Sequence, residues 1–289
     1  MLEIRCKILT KIPDFFVTTN LLIKNLFLNK LPVYYPSVYS LKIYLCKMNS
    51  SKTVLILGAN SDVAKKCIKL YINKGFSVVA SSRNLKALQN FADENHLDKA
   101  KIEIKYFDAT DFASHQKFYN ELSVKPDIVV YSAGFLVENQ EALKNFEGTF
   151  EMMKTNYVGA VSILNIIAMD KLNKNLERII GLSSLSGVRG RKSNFVYGST
   201  KSAFTQYLAG LRQELNSRNI TVNVLVSGYI NTKINAGLDL NRSLLMEPDY
   251  VAKHIVNADN SFTIVPNWKW KIIYCILKWS PEFLVAKLP

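Results

Sequence analysis

Three side chains able to do chemistry, Ser184, Tyr197 and Lys201, fall in the stretch from Gly181 to Lys201. Tyr197 and Lys201 are four positions apart, a spacing that puts both on one face of a helix. A lysine ammonium beside a phenol favours the ionised form and lowers its pKa from the usual value of about 10. Such a phenol is a usable acid at neutral pH. Ser184 comes thirteen residues before Tyr197 and follows the apolar run Arg178-Ile-Ile-Gly-Leu182. That run reads as a buried strand, so the hydroxyl emerges at its C-terminal end. In an open α/β sheet, ligands bind there. A Tyr-x-x-x-Lys pair alone arises often by chance on solvated helix faces; its company decides what it means.

The elements that position these residues are legible from their periodicity. Thr53-Val-Leu-Ile-Leu57 is a short apolar run, followed by the turn Gly58-Ala-Asn60-Ser61-Asp62-Val63-Ala64 and a helical pattern through Cys67, Ile68 and Tyr71. A glycine turn between a strand and a helix lets backbone N–H groups approach a pyrophosphate at the positive end of the helix. Further strand-like runs cover 76–80, 101–107, 127–131, 220–226 and 261–265. A helical pattern spans 146–172 and carries Asn156, and a long helix carries Tyr197. Strands alternating with helices predict an α/β fold: a doubly wound, Rossmann-like parallel sheet with helices on both faces, in a single domain. Residues 233–248 are expected to form a lid over the substrate. The second strand ends in Ser81-Ser-Arg83-Asn84, with no acid to bind the ribose 2′-OH of NAD and with an arginine able to accept the 2′-phosphate of NADP. NADP is the expected cofactor, with NAD as the alternative.

With Ser184 at this spacing, the glycine turn near the start and Asn156 between them, the chain resembles the short-chain dehydrogenase/reductase family from about Thr53 to Val265. The resemblance implies that NADPH delivers hydride to a ketone carbon while Tyr197 protonates the forming alkoxide. It further implies that Ser184 hydrogen-bonds the carbonyl oxygen and that Lys201 lowers the Tyr197 pKa and holds the nicotinamide ribose. Asn156 would support a proton-relaying water. Carried over in the same way, Gly58, Asn60, Ser61, Asp62, Val63 and Arg83 belong to the cofactor site, and Asp108 lies beside the adenine. Ala133 and Gly134 give backbone access, and Gly228, Ile230 and Thr232 sit on the nicotinamide side. The chain departs from the family pattern at Asp62 and Ala64, where glycines are usual. It departs again at Tyr131-Ser132, where two asparagines are usual, and at Ser227, where proline is usual. The turn and the C-terminal Trp/Lys/Ile helix look like those of bacterial reductases of keto-sugars carried on polyprenyl phosphate. A lipid or fatty-acyl ketone is the alternative substrate, and a non-catalytic cofactor-binding regulator the alternative outside enzymes. Family members commonly pair through the helices matching those of Asn156 and Tyr197, so a homodimer or homotetramer is expected.

Composition narrows the classes. Of 289 residues, 48% are hydrophobic and 21% charged, as in a globular protein. Cys6, Cys46, Cys67 and Cys275 form no C-x-x-C pair, and His96, His115 and His254 lack ligand spacing, so no metal and no disulfide framework are expected. A reducing, cytoplasmic setting fits. The net charge of +14 is partly terminal, and at the ends basic residues mix with Trp, Leu and Ile. That favours the cytoplasmic face of a membrane over nucleic acid as a partner surface. Residues 1–47 read as an N-terminal extension, with neither a membrane span nor an ordinary secretory signal, and Met48 as a plausible start. Residues 48–266 form the expected catalytic domain. Residues 267–289 are expected to carry an amphipathic helix that lies on a membrane, with Ile272, Ile273, Ile276, Leu277 and Trp279 on one face and Lys271, Tyr274 and Lys278 opposite.

Overall fold

The apolar runs become parallel strands in the computed structural model, which describes residues 51–233 and 241–287. The expectations for residues 1–47 and for most of the first half of the 233–248 lid lie outside the described residues. The strands are β1 (Thr53–Leu57), β2 (Ser77–Ser82), β3 (Ile102–Tyr106), β4 (Ile128–Tyr131), β5 (Arg178–Ser184), β6 (Thr221–Ser227) and β7 (Thr263–Ile264). Among the described residues they form one sheet in the order β3-β2-β1-β4-β5-β6-β7, with every pairing parallel. β1 and β4 are buried along their whole length. Central parallel strands are covered on both faces, which is why they read as unbroken apolar runs rather than alternating ones. The winding direction reverses between β1 and β4, and a crevice at the strand C-termini opens there.

The helices are α1 (Asp62–Asn73), α2 (Leu85–Glu94), α3 (His115–Asn120), α4 (Asn139–Lys144), α5 (Phe146–Met153), α6 (Gly159–Met169), α7 (Phe195–Leu215), α8 (Pro248–Val256), α9 (Trp268–Trp279) and α10 (Glu282–Val285). α1 starts where Ser61 accepts a hydrogen bond from Ala64 N–H at 3.1 Å, satisfying a first-turn donor. It buries Val63, Ala64, Cys67, Ile68, Tyr71 and Ile72 at helical spacing. α7 turns Lys201, Phe204, Leu208, Leu211 and Leu215 inward. Lys201 therefore lies on the core-facing side of its helix.

Three expectations need correction. The helix expected over 146–172 is broken into α5, a π-helical turn at Lys154–Val158 and α6. The wider turn lies at Asn156, whose amide bonds the backbone of Phe135 rather than its own helix. The last strand is only Thr263–Ile264, because Asn223 Nδ2 takes the carbonyls of Asp259 and Ser261 at 2.9 and 2.6 Å. The division at residue 266 is not a structural break either. Trp270 and Leu277 of α9 belong to the main core, and Ile273 and Tyr274 pack against it. The face expected to lie on a membrane is thus split: Leu277 points in, whereas Ile272, Ile276 and Trp279 are exposed.

Candidate active site

Above the C-terminal ends of β1, β4, β5 and β6 lies a cavity of about 810 Å³. One wall is the turn after β1. Gly58 has φ +85°, and a Cβ there would meet Ala133 N at 2.4 Å, so only glycine lets this turn lie against the loop after β4. The Gly58 and Ala59 N–H groups both donate to Ser81 O, at 3.0 and 2.9 Å. Ser61 and Ser132 share a hydroxyl–hydroxyl hydrogen bond of 2.6 Å. Ser132 therefore ties the two loops together. Asn60 Nδ2 donates to Ser82 Oγ and Asn84 O, at 2.7 and 2.8 Å, while its Oδ1 is buried without a partner. Asp62 accepts from Lys233 N–H at 2.9 Å, so its carboxylate fastens the loop after β6. Val63 also lines the cavity, with its side chain buried.

Around this turn the other expected cofactor residues gather. Arg83 is exposed at the cavity edge with no ion pair among the described residues. Asp108 lines the cavity while its Oδ1 accepts from Thr110 N–H and Oγ1, at 2.9 and 2.8 Å. Ala133, Gly134, Gly228, Ile230 and Thr232 line it as well. Thr232 Oγ1 donates to Ile230 O at 3.3 Å. A glycine turn at a helix N-terminus and an arginine beyond β2 with no ion pair among the described residues suit a phosphate-bearing dinucleotide, while the buried Asn60 Oδ1, an acceptor, suits a donor such as a ribose hydroxyl.

The opposite wall holds Ser184, Tyr197 and Lys201. Ser184 Oγ accepts from Ser186 N–H at 3.1 Å, and Ser184 and Tyr197 line the same cavity. Lys201 is buried, donates from Nζ to Leu182 O at 3.0 Å, and has its Nζ 5.8 Å from the centre of the Tyr197 ring. The three side chains are thus brought to one wall. The electrostatics differ from the expected lowering of the phenol pKa. Burial pushes Tyr197 up, countered only by Ser184, and Lys201 is not a cause of its shift. Burial also brings Lys201 down from 10.5 to about 8. Desolvation penalises both charged forms, so Tyr197 is held protonated as a donor.

Asn156 is fully buried. Its Oδ1 accepts from Phe135 N–H at 2.8 Å, and its Nδ2 donates to Phe135 O at 2.8 Å and to Thr200 Oγ1 at 3.1 Å. Its side chain therefore joins the loop after β4 to α7, next to Lys201.

Several participants carry no motif in the sequence. Trp270 reaches the cavity from α9: its ring lies on Gly228, where a Cβ would come within 2.0 Å, and its Nε1 donates to Leu244 O at 2.8 Å. Arg191 and Asn194 line the cavity from the loop between β5 and α7. A basic residue between Ser184 and Tyr197 was the available signal for Arg191; nothing local marks Trp270. Among the described residues, no cluster of His, Cys, Asp or Glu could hold a metal.

Comparison with known proteins agrees with this architecture. The chain is 24% identical over 217 residues to an uncharacterized oxidoreductase of Myxococcus xanthus, covering 73% of this chain and 86% of that one. Its fold is similar to that of ElxO with NADP bound, with a TM-score of 0.69 at 21% identity over 77% of this chain and all of the other. It is also similar to a short chain dehydrogenase from Burkholderia cenocepacia in complex with NADP, with a TM-score of 0.71 at 16% identity over 83% and 99% of the two chains. Residues 52–243 match the family profile described as short chain dehydrogenase. On that match, which spans about two thirds of the chain and includes Ser184, Tyr197 and Lys201, the chain belongs to the short chain dehydrogenase family.

Proposed function

We propose that the protein is an NADP-dependent oxidoreductase that reduces a ketone to a secondary alcohol. The observation that carries the reading is the convergence of Ser184, Tyr197 and Lys201 on a cavity whose facing wall is a glycine cradle with Arg83 at its edge. The similarity to an oxidoreductase of Myxococcus xanthus and the NADP bound by two structural neighbours support it. The cofactor, when bound, supplies hydride. The Gly58 turn would face its phosphates, Asn60 Oδ1 would accept from a ribose hydroxyl, Arg83 would hold the 2′-phosphate and Asp108 the adenine side, with Thr232 toward the nicotinamide. Ser184 would orient the substrate oxygen, and Tyr197, kept protonated by burial, would give it a proton. Lys201 would supply positive charge beneath the phenol, and Asn156 would fix the loop and helix that frame both. Following NADPH consumption over a panel of ketones tests this: turnover of at least one is expected, and none by any ketone or alcohol would favour the regulator.

The substrate is proposed to be lipid-borne, a keto-sugar on a polyprenyl phosphate being the favoured case, at the cytoplasmic face of a membrane. Support comes from an exposed apolar patch on α9 and α10, where Trp268, Ile272, Ile276, Trp279 and Phe283 face solvent beside Lys271 and Lys278. Trp and Lys together suit the headgroup region. No helix among the described residues is long and apolar enough to cross a membrane. A homodimer or homotetramer through the α5–α6 side is also proposed; Phe146 and Phe150 stack there, 72% and 49% exposed.

A further inference from the structure

The loop between β5 and α7 carries a charge that the proposed reaction does not use. Arg191 lines the cavity, its Nε is buried without a partner, and its guanidinium has no ion pair or hydrogen bond among the described residues. Three residues on, Asn194 also lines the cavity with a buried Oδ1 that has no partner among the described residues, while its Nδ2 donates to Ser186 Oγ at 2.8 Å. Glu138 borders the same cavity but forms no ion pair with Arg191. A half-buried guanidinium with nothing to bond is unfavourable unless something fills the space before it.

The loop is held in place from several sides. Asn139 Nδ2 donates to Lys192 O at 3.4 Å, and Asn139 Oδ1 accepts from Val196 N–H at 3.2 Å. Arg189 donates to Leu277 O at 3.1 Å and Ser280 O at 2.8 Å, and pairs with Glu282 at 3.3 Å. Arg191 is therefore presented by a fastened loop, which reduces the ordering needed on binding. It is also remote from the expected 2′-phosphate contact. Arg83 follows β2 and Arg191 follows β5; β1 and β4 lie between those strands, a separation of about 14 Å at the usual strand spacing.

The geometry points to an oxyanion subsite on the substrate side of the cavity, in which Arg191 binds a phosphate carried by the ketone and Asn194 Oδ1 accepts from a neighbouring substrate hydroxyl. Guanidinium groups suit phosphate because their planar donors meet two oxygens at once. The inference rests on the reductase reading for the word substrate, but its binding test does not. Titration calorimetry on the NADP⁺-loaded protein would compare dihydroxyacetone, dihydroxyacetone phosphate and the decyl phosphodiester of dihydroxyacetone. Either ester is expected to bind about tenfold more tightly than the neutral ketone, with Arg191→Gln bringing all three close together and Arg191→Lys keeping part of the gap. Whichever ester binds better distinguishes a soluble source of the phosphate from a lipid-borne one. Equal binding of the neutral ketone and both esters by the unaltered protein overturns the subsite, as does a preference unchanged in a folded Arg191→Gln protein. A phosphate preference without turnover of any ketone supports the subsite and counts against the reductase reading alone.

Discussion

Replacing Lys201 by methionine should remove one pH-dependent contribution to stability, whose direction is fixed by burial. In the folded chain Lys201 gives up its proton at about 8, whereas an unburied lysine does so at 10.5. Below about 8 both states are protonated, and the folded chain bears the full cost of a desolvated ammonium. Between about 8 and 10.5 the unfolded chain binds more protons, so this residue makes stability rise with pH. The gap is worth about 3 kcal/mol when complete. Cys67 and Tyr131, whose pKa values burial pushes up, oppose this at higher pH, but they are common to both proteins. Urea unfolding followed by circular dichroism from pH 7 to 10.5 should therefore show Lys201→Met most favoured at pH 7 and its advantage over the unaltered chain shrinking by about 3 kcal/mol across the window. A difference that stays flat, or grows with pH, would refute the assignment of a desolvated ammonium to this position.

Other perturbations have equally definite outcomes. Arg83→Ala should weaken NADPH binding by roughly thirtyfold, the loss of one charge-assisted contact of about 2 kcal/mol, while NADH binding changes little; fluorescence titration of both cofactors checks this. Gly228→Ala places a methyl inside the Trp270 ring, so a destabilisation of about 1–3 kcal/mol and a change in tryptophan emission are expected by thermal melting and fluorescence. For the membrane surface, substitution is the appropriate perturbation, because cutting the chain after Pro266 would remove the buried Trp270 and Leu277 from the core. The double change Ile276→Ser and Trp279→Ser alters only exposed positions and should abolish flotation with anionic liposomes at an unchanged melting temperature.

What the sequence discloses follows from where each constraint acts. The central strands are legible because burial on both faces forces apolar residues at successive positions, as in Thr53–Leu57. The edge strand is less so, since its length depends on Asn223 and Arg178 capturing carbonyls near residue 259. Ser184, Tyr197 and Lys201 are visible through a strand end and one helical turn. The direction of the Tyr197 shift is not, because desolvation comes from the surrounding fold whereas the spacing to Lys201 is local. The π-helical turn at Asn156, the Ser61–Ser132 bond and the Trp270 ring on Gly228 are likewise made by residues distant in sequence. Arg191 stands out only when its missing partner and the cavity are seen together.

The central claim is that Tyr197 donates the proton, and Tyr197→Phe isolates it. The substitution removes one hydroxyl and keeps the ring. Single-turnover NADPH oxidation by a ketone that the unaltered chain reduces should fall by at least about a hundredfold, the range of a lost general acid, while NADPH affinity stays within about twofold. Comparable turnover in Tyr197→Phe would contradict the account.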